Sequence, residues 1–252
     1  MSHHLDHEAE HTPDAIRRRL AEETSQGYLK DSIYGAIDGA VTTFAVVSSV
    51  AGAGLASGIV IILGLANLLA DGFSMASGNF LGTRAENQAA RRARREEEEE
   101  IEKHPEGERE EVRQIFAAKG FEGETLEKVV EVITADKKQW VELMLQEEHG
   151  VAAARPSALR AALATFGAFL LIGAIPLLAY IVNLLDPAMV PNPFLPACLL
   201  TGTAFFVVGA FKGKYVDQHW ALGGAETLGI GVLAAGIAYG IGALLRPLAE
   251  GL

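Results

Sequence analysis

Apolar positions in this chain fall into long unbroken blocks separated by polar stretches. Uncharged runs cover 39–70, 72–83, 161–185, 187–211 and 227–245. A helix needs about 20 apolar residues to cross a bilayer core. The 39–70 run exceeds one crossing, and Gly52, Gly54 and Gly58 mark a turn near its middle. The pattern therefore predicts five membrane-spanning helices at 32–53, 57–83, 159–185, 193–212 and 226–246. Pro176 predicts a kink in the third, and Pro193 and Pro196 suit the start of the fourth. Small residues four apart, Gly35/Gly39, Gly78/Gly82 and Gly236/Gly240, allow close helix approach. A buried soluble core does not account for so many separate uncharged runs.

The stretch between the second and third spans has a different character. Residues 84–103 lack Gly and Pro and predict a helix continuing the second span; Pro105 and Gly107 end it. A second helix is expected over 106–119, and one further helix or two over 124–149, with Val129, Val130, Ile133, Trp140, Leu143 and Leu145 as apolar positions. The fold class is thus all-α: a polytopic membrane protein of five transmembrane helices, with a small helical domain between helices 2 and 3. The segments are 1–31 (tail and amphipathic helix), 32–83 (helices 1 and 2), 84–157 (the inserted domain) and 158–252 (helices 3 to 5). In the first, Thr12 and Pro13 read as N-cap and N1 of a helix running to about Gln26 on the membrane surface.

Charge then orients the chain. Arg17, Arg18, Arg19 and Lys30 precede span 1; Arg84, Arg91, Arg92, Arg94 and Arg95 follow span 2; Arg155 and Arg160 precede span 3; Lys212 and Lys214 follow span 4. The connections between spans 1 and 2 and between spans 3 and 4 carry no Lys or Arg. Positive-inside bias places the N-terminus and 84–157 in the cytosol and the C-terminus outside. The mean hydropathy of +0.22 despite 21% charged residues reflects this segregation. The net charge of −11 gives no support to nucleic-acid binding. A polar start without a cleavage-site pattern reads as no signal peptide, and with the short form favours a prokaryotic plasma membrane. The single cysteine, Cys198, excludes an intramolecular disulfide and a Cys-rich metal cluster. His3, His4, His7 and His11 read as a disordered tail, with weak metal scavenging as the alternative.

Two constellations carry candidate chemistry. Between Ser32 and Thr83 the only charged residues are Asp38 and Asp71. An ionised Asp at bilayer depth costs roughly 2.5–3.5 kcal/mol on insertion scales, so two of them point to moving a cation or a proton. Asn67, Asp71 and Met75 form an i, i+4, i+8 stripe on span 2, and Thr42 lies one turn from Asp38. Counting about 1.5 Å per residue from the span ends brings Asp38 and Met75 to similar depth, with Asp71 one turn deeper. Carboxylates with a thioether suit a divalent transition metal rather than Mg²⁺ or Ca²⁺. The second constellation is acidic. Glu97 and Glu100 share a helix face, as do Glu108 and Glu111, and Met144 lies four before Glu148. Taken alone, a run such as EEEEE reads first as a solvated face, with a converging metal cage as the alternative.

DGAVTTFAVVSSVAGA in span 1, GFSMASGNFLG in span 2, WVELMLQEEHG before span 3, FKGKY after span 4 and AET at the start of span 5 together resemble the vacuolar iron transporter family. The resemblance covers about 28–245. It implies a homodimer of five-helix chains with a cytosolic metal-binding domain, exporting Fe²⁺ and often Mn²⁺ or other divalent ions such as Co²⁺ or Zn²⁺ from the cytosol by proton antiport. It implies no permanently bound cofactor and no enzymatic activity; its partners are membrane lipid, metal ions and a second copy of the chain. It assigns the membrane site to Asp38 and Met75. It assigns the domain's metal ligands to Glu97, Glu100, Glu108, Glu111, Met144 and Glu148, with Leu145 where a second methionine stands. Plant-type members carry an acidic residue where this chain has Asn67, and Asp71 one turn later is its expected replacement. Glu226, within AET, is an additional candidate. The alternatives are a membrane-anchored iron-binding oxidase or a metal sensor without transport. The first wants Glu-x-x-His pairs, and neither His104, four beyond Glu100, nor His149, adjacent to Glu148, supplies one.

Overall fold

The computed structural model describes residues 12–21, 28–151 and 156–250. The histidines of the first eleven residues and the expected helix end near Gln26 lie outside them. Among the described residues the regular structure is helical throughout: α1 Pro13–Ala21, α2 Leu29–Gly52, α3 Ser57–Lys103, α4 Pro105–Ala118, α5 Gly123–Thr134, α6 Lys137–Glu147, α7 Ala158–Gly173, α8 Ile175–Leu185, α9 Phe194–Tyr215 and α10 Trp220–Glu250. Thr12 caps α1, its hydroxyl accepting from the Ala15 N–H at 3.3 Å. The chain divides into two compact units, with boundaries at Gly82/Thr83 and Pro156/Ser157.

In the apolar unit, four helices are long and apolar enough to cross a membrane, and α7 with α8 makes a fifth span bent by 47°. The bend sits at Ala174, two residues before Pro176. A proline lacks the N–H its turn needs, and its ring strikes the carbonyl four residues back, so the helix breaks just ahead of it. Helix α2 is the hub, packed against α7, α8, α9 and α10. Its Ala40, Phe44, Val47 and Val50 join Leu177, Tyr180, Ala197 and Phe205 in one apolar cluster.

The glycine spacings divide into those that are filled and those that are not. Gly35 and Gly39 let α2 lie directly on the backbone carbonyls of Thr165 and Phe169 in α7; a Cβ at either would overlap them. The stripes Gly78/Gly82 and Gly236/Gly240 meet no other helix within this chain. On α10 the close approach is made by Gly242, against the Ser49 carbonyl of α2. On α9, Gly209 meets the Gly223 carbonyl in the same way. No glycine in the apolar part of α3 meets the backbone of another helix; its contacts are through side chains, among them Leu68 beside Gly173 and the Phe166 and Phe169 rings beside Gly72.

The polar unit is built from the end of α3 with α4, α5 and α6. Ile101, Val112, Val130, Trp140, Val141, Met144 and Leu145 form its core. Asp136 caps α6 by accepting from the Lys138 N–H at 2.8 Å and the Gln139 N–H at 3.4 Å.

The packing predicts a contrast between two glycines of the apolar unit. Gly39→Ala forces a methyl into the Phe169 carbonyl and should lower stability by about 1–3 kcal/mol. Gly240→Ala meets open space and gains helix propensity, so thermal unfolding in detergent should leave its midpoint unchanged or raised. Equal midpoints for the two variants would contradict this packing.

Candidate metal centre and membrane carboxylates

The run 96–100 is sorted by helix geometry. Glu96 pairs with Arg92 at 2.7 Å, Glu98 with Arg94 at 3.7 Å and Glu99 with Lys103 at 2.9 Å. Each is an i, i+4 pair on an outer face. Elsewhere in the unit Glu102 pairs with Lys137, Glu147 with Lys119, and both Glu110 and Glu127 with Arg113. The five glutamates that the sequence nominates, Glu97, Glu100, Glu108, Glu111 and Glu148, stand apart from these pairs. None of them forms an ion pair with Lys or Arg among the described residues.

These five converge. Glu97 lies within electrostatic reach of Glu108, Glu148 and Glu100, and Glu111 within reach of Glu148 and Glu100. Glu97 is completely buried and Glu108 is 6% exposed, while Glu100, Glu111 and Glu148 stand at the rim. Both carboxylate oxygens of Glu97 and Oε2 of Glu108 are buried without a hydrogen-bond partner. Glu108 is the neighbour that could share a proton with Glu97, and it can do so only while one of the two is protonated. Burial, then the Glu108 charge, pushes the Glu97 carboxyl up to about 8. Burial raises Glu108 and Glu111 as well, with repulsion from Glu111 and Glu148 respectively as the next cause. By contrast the hydrogen bond from Lys137 holds the partnered Glu102 below the usual carboxylate range. Buried carboxylates without partners are normally avoided, and a divalent cation would satisfy all of them at once.

The sixth nominated ligand, Met144, is fully buried in the domain's apolar core, and its carbonyl accepts from the Glu148 N–H at 2.9 Å. Leu145 lies in the same core at 4% exposed. One residue beside the carboxylates escaped sequence reasoning. His149 Nε2 stands 3.6 Å from Glu97 Oε2 and 3.9 Å from Glu148 Oε2. It lies past the end of α6, where helical spacing no longer applies. Gly150 takes φ +63° and the Val151 N–H donates to the Leu145 carbonyl at 2.8 Å. That αL turn, closed by Val151 packing on the core, positions Glu148 and His149 together.

In the apolar unit the Asp38 and Asp71 carboxylates lie within electrostatic reach of each other. Asn67, Asp71 and Met75 are half-buried, and the Asn67 amide nitrogen is buried without a partner. The Thr42 hydroxyl donates to the Asp38 carbonyl at 2.9 Å. Asn79, one turn beyond Met75, extends the stripe: its amide donates to Asp31 Oδ1 at 2.9 Å and to the Thr165 hydroxyl at 2.7 Å. Asp31 was missed because the first span was expected to begin at 32, whereas α2 begins at Leu29. Glu226 is 52% exposed and pairs with Lys212 at 2.9 Å.

The carboxylate shifts predict an unusual pH dependence. Glu97 keeps its proton up to about pH 8 when folded but only to the ordinary value of 4.5 when unfolded. The folded metal-free chain therefore binds more protons in that window, and its stability falls as pH rises through it. The depressed carboxyl of Glu102 acts in the opposite sense, below its ordinary value. Trp140 fluorescence in a Trp220→Phe background should show this loss, and Mn²⁺ at pH 8 should reverse it. Glu97→Gln should flatten the dependence, stabilise the metal-free chain at pH 8 by about 1–3 kcal/mol, and remove the Mn²⁺ effect. Stability rising between pH 5 and 8 in the metal-free wild type would contradict the burial of these groups.

Comparison with known proteins agrees with this layout. The VIT family pattern matches residues 29–243. A protein of Toxoplasma gondii named vacuolar iron transporter is 33% identical over 247 residues, spanning 96% of this chain and 78% of that protein. Vacuolar iron transporter 1 of Arabidopsis thaliana is 31% identical over 86% of this chain and 85% of its own length. The vacuolar iron transporter of Plasmodium falciparum is 29% identical over 86% and 82% respectively. The matched span contains the apolar helices, the five converging glutamates, and Asp38, Asp71 and Met75, and this chain belongs to the VIT family.

Proposed function

We propose that this chain carries Fe²⁺, with Mn²⁺ as a second cargo, out of the cytosol in exchange for protons. The observation that carries the reading is the pair of like-charged carboxylates, Asp38 and Asp71, within reach of each other on helices otherwise free of charge from Ser32 to Thr83. Such a pair is stable in an apolar helix bundle only when a cation or protons neutralise it. The names of the relatives supply the cargo, iron, and the distribution of Lys and Arg supplies the sidedness.

In this mechanism the glutamates of the polar unit collect the ion on the cytosolic side and raise its local concentration. Asp38 then binds it, with the thioether of Met75 favouring a transition metal over Mg²⁺. A carboxylate must be ionised to hold the metal, so loading expels protons. When the metal leaves, the bare carboxylates take protons up. The same groups therefore carry metal one way and protons the other, provided the loaded and protonated states open to opposite sides. Asp71 stands in for the acidic residue replaced by Asn67, and Thr42 and Asn67 line the path. The working unit is a homodimer, in which two copies double the carboxylate and thioether donors.

Proteoliposomes holding the purified chain test this. Uptake of Fe²⁺ and Mn²⁺ should be driven by an opposing proton gradient, and Asp38→Ala should abolish it while leaving metal binding by the glutamates intact. Wild-type uptake by Asp38→Ala, or uptake indifferent to the gradient, would overturn the pathway or the coupling respectively. Replacing the five glutamates by Gln should reduce uptake more at low Fe²⁺ than at saturating Fe²⁺.

A further inference from the structure

We propose that His149 is itself a ligand, so that one metal position in the glutamate cluster is a mixed nitrogen and oxygen site formed by Glu97, Glu148 and the His149 imidazole. The inference rests on the reading of that cluster as a metal site and adds a donor and a selectivity to it.

Three features support it. First, donor atoms of Glu97, Glu148 and His149 all lie within 4.8 Å of one another. The imidazole nitrogen is 3.6 Å from one carboxylate and 3.9 Å from the other. Those distances are too long for hydrogen bonds. They suit donors sharing one ion, because bonds of about 2.0–2.2 Å hold ligand atoms roughly 3–4 Å apart. Second, Glu97 is 0% exposed and neither of its oxygens has a hydrogen-bond partner. A wholly buried carboxylate with an imidazole nitrogen 3.6 Å away is placed to share a cation with it. Third, the backbone fixes the imidazole: the Gly150 turn and the Val151–Leu145 hydrogen bond hold residue 149 against the cluster.

The consequence is selectivity. A cage of carboxylates alone suits hard ions, including Mn²⁺, Mg²⁺ and Ca²⁺. One imidazole shifts preference toward Co²⁺, Ni²⁺ and Zn²⁺, later in the first transition row.

The test uses the full-length chain in detergent with its six other histidines replaced, so that His149 is the only imidazole. X-ray absorption with one equivalent of Zn²⁺ should show imidazole scattering, and His149→Leu should remove it. In the same chain His149→Leu should lower Co²⁺ affinity at least about ten-fold and Mn²⁺ affinity less than about two-fold. Absence of imidazole scattering, or equal effects on the two ions, overturns the assignment. Glu97→Gln separates this from failure of the underlying reading. If it leaves both Mn²⁺ and Zn²⁺ binding intact, the cluster is not a metal site. If it abolishes both while His149→Leu changes neither, only the histidine assignment fails.

Discussion

Mutual repulsion among five carboxylates is the constraint the polar unit is organised around. Left unneutralised, Glu97, Glu100, Glu108, Glu111 and Glu148 oppose the compact state, so the energy holding them together comes from beside them. Glu97 and Ile101 are one turn apart on α3, and the rotation that buries one buries the other. Val112 stands in the same relation to Glu108, and Leu145 comes from the helix that ends at Glu148. Each buried apolar side chain contributes about 1.5–3 kcal/mol, and the apolar core adjoins the acidic cluster. Among the remaining glutamates, Glu96, Glu98, Glu99 and Glu102 lie on outer faces and pair with Arg or Lys, where surface pairing is worth little beyond solubility.

The two sites meet the same problem in different surroundings. In the polar unit the carboxylates are graded, two deep and three at the rim, so that water and ions reach the deep pair past charged groups. In the apolar unit Asp38 and Asp71 have no such rim. Hydrogen bonding there is local, as when Thr42 returns its hydroxyl to the Asp38 carbonyl, and the only neighbouring amide on the stripe with an unpartnered nitrogen is Asn67.

Much of this was legible in the sequence, and the exceptions have physical causes. The long apolar helices follow from run length, because about 20 apolar residues suit one bilayer crossing, and the break at Ala174 follows from Pro176. The choice of glutamates within EEEEE was not legible from composition: it depends on which neighbours on the same helix carry cations, a property of α3 as folded. His149 escaped because it was judged by helical spacing although it lies beyond a helix end, where Gly150 turns the chain. The small-residue stripes fall into two groups. Spacing shows that a close approach is possible, and only the position of a neighbour decides whether it occurs, as it does at Gly39 and does not at Gly78 or Gly240.

Backbone-on-backbone seams join α2 to α7 and α10, and α9 to α10. Sliding any of these helices would drive a glycine into a carbonyl. The apolar part of α3 has no such seam. Side chains hold it along its length, and Asn79 fastens one end to both α2 and α7. The two helices that carry the membrane carboxylates are thus held by different kinds of contact. Asp38 belongs to α2, while Met75, Asp71 and Asn67 lie on α3 at growing distance from Asn79. A change in the spacing between α2 and the apolar part of α3 would therefore be opposed by side-chain packing and the Asn79 hydrogen bonds rather than by overlap of a glycine with a carbonyl.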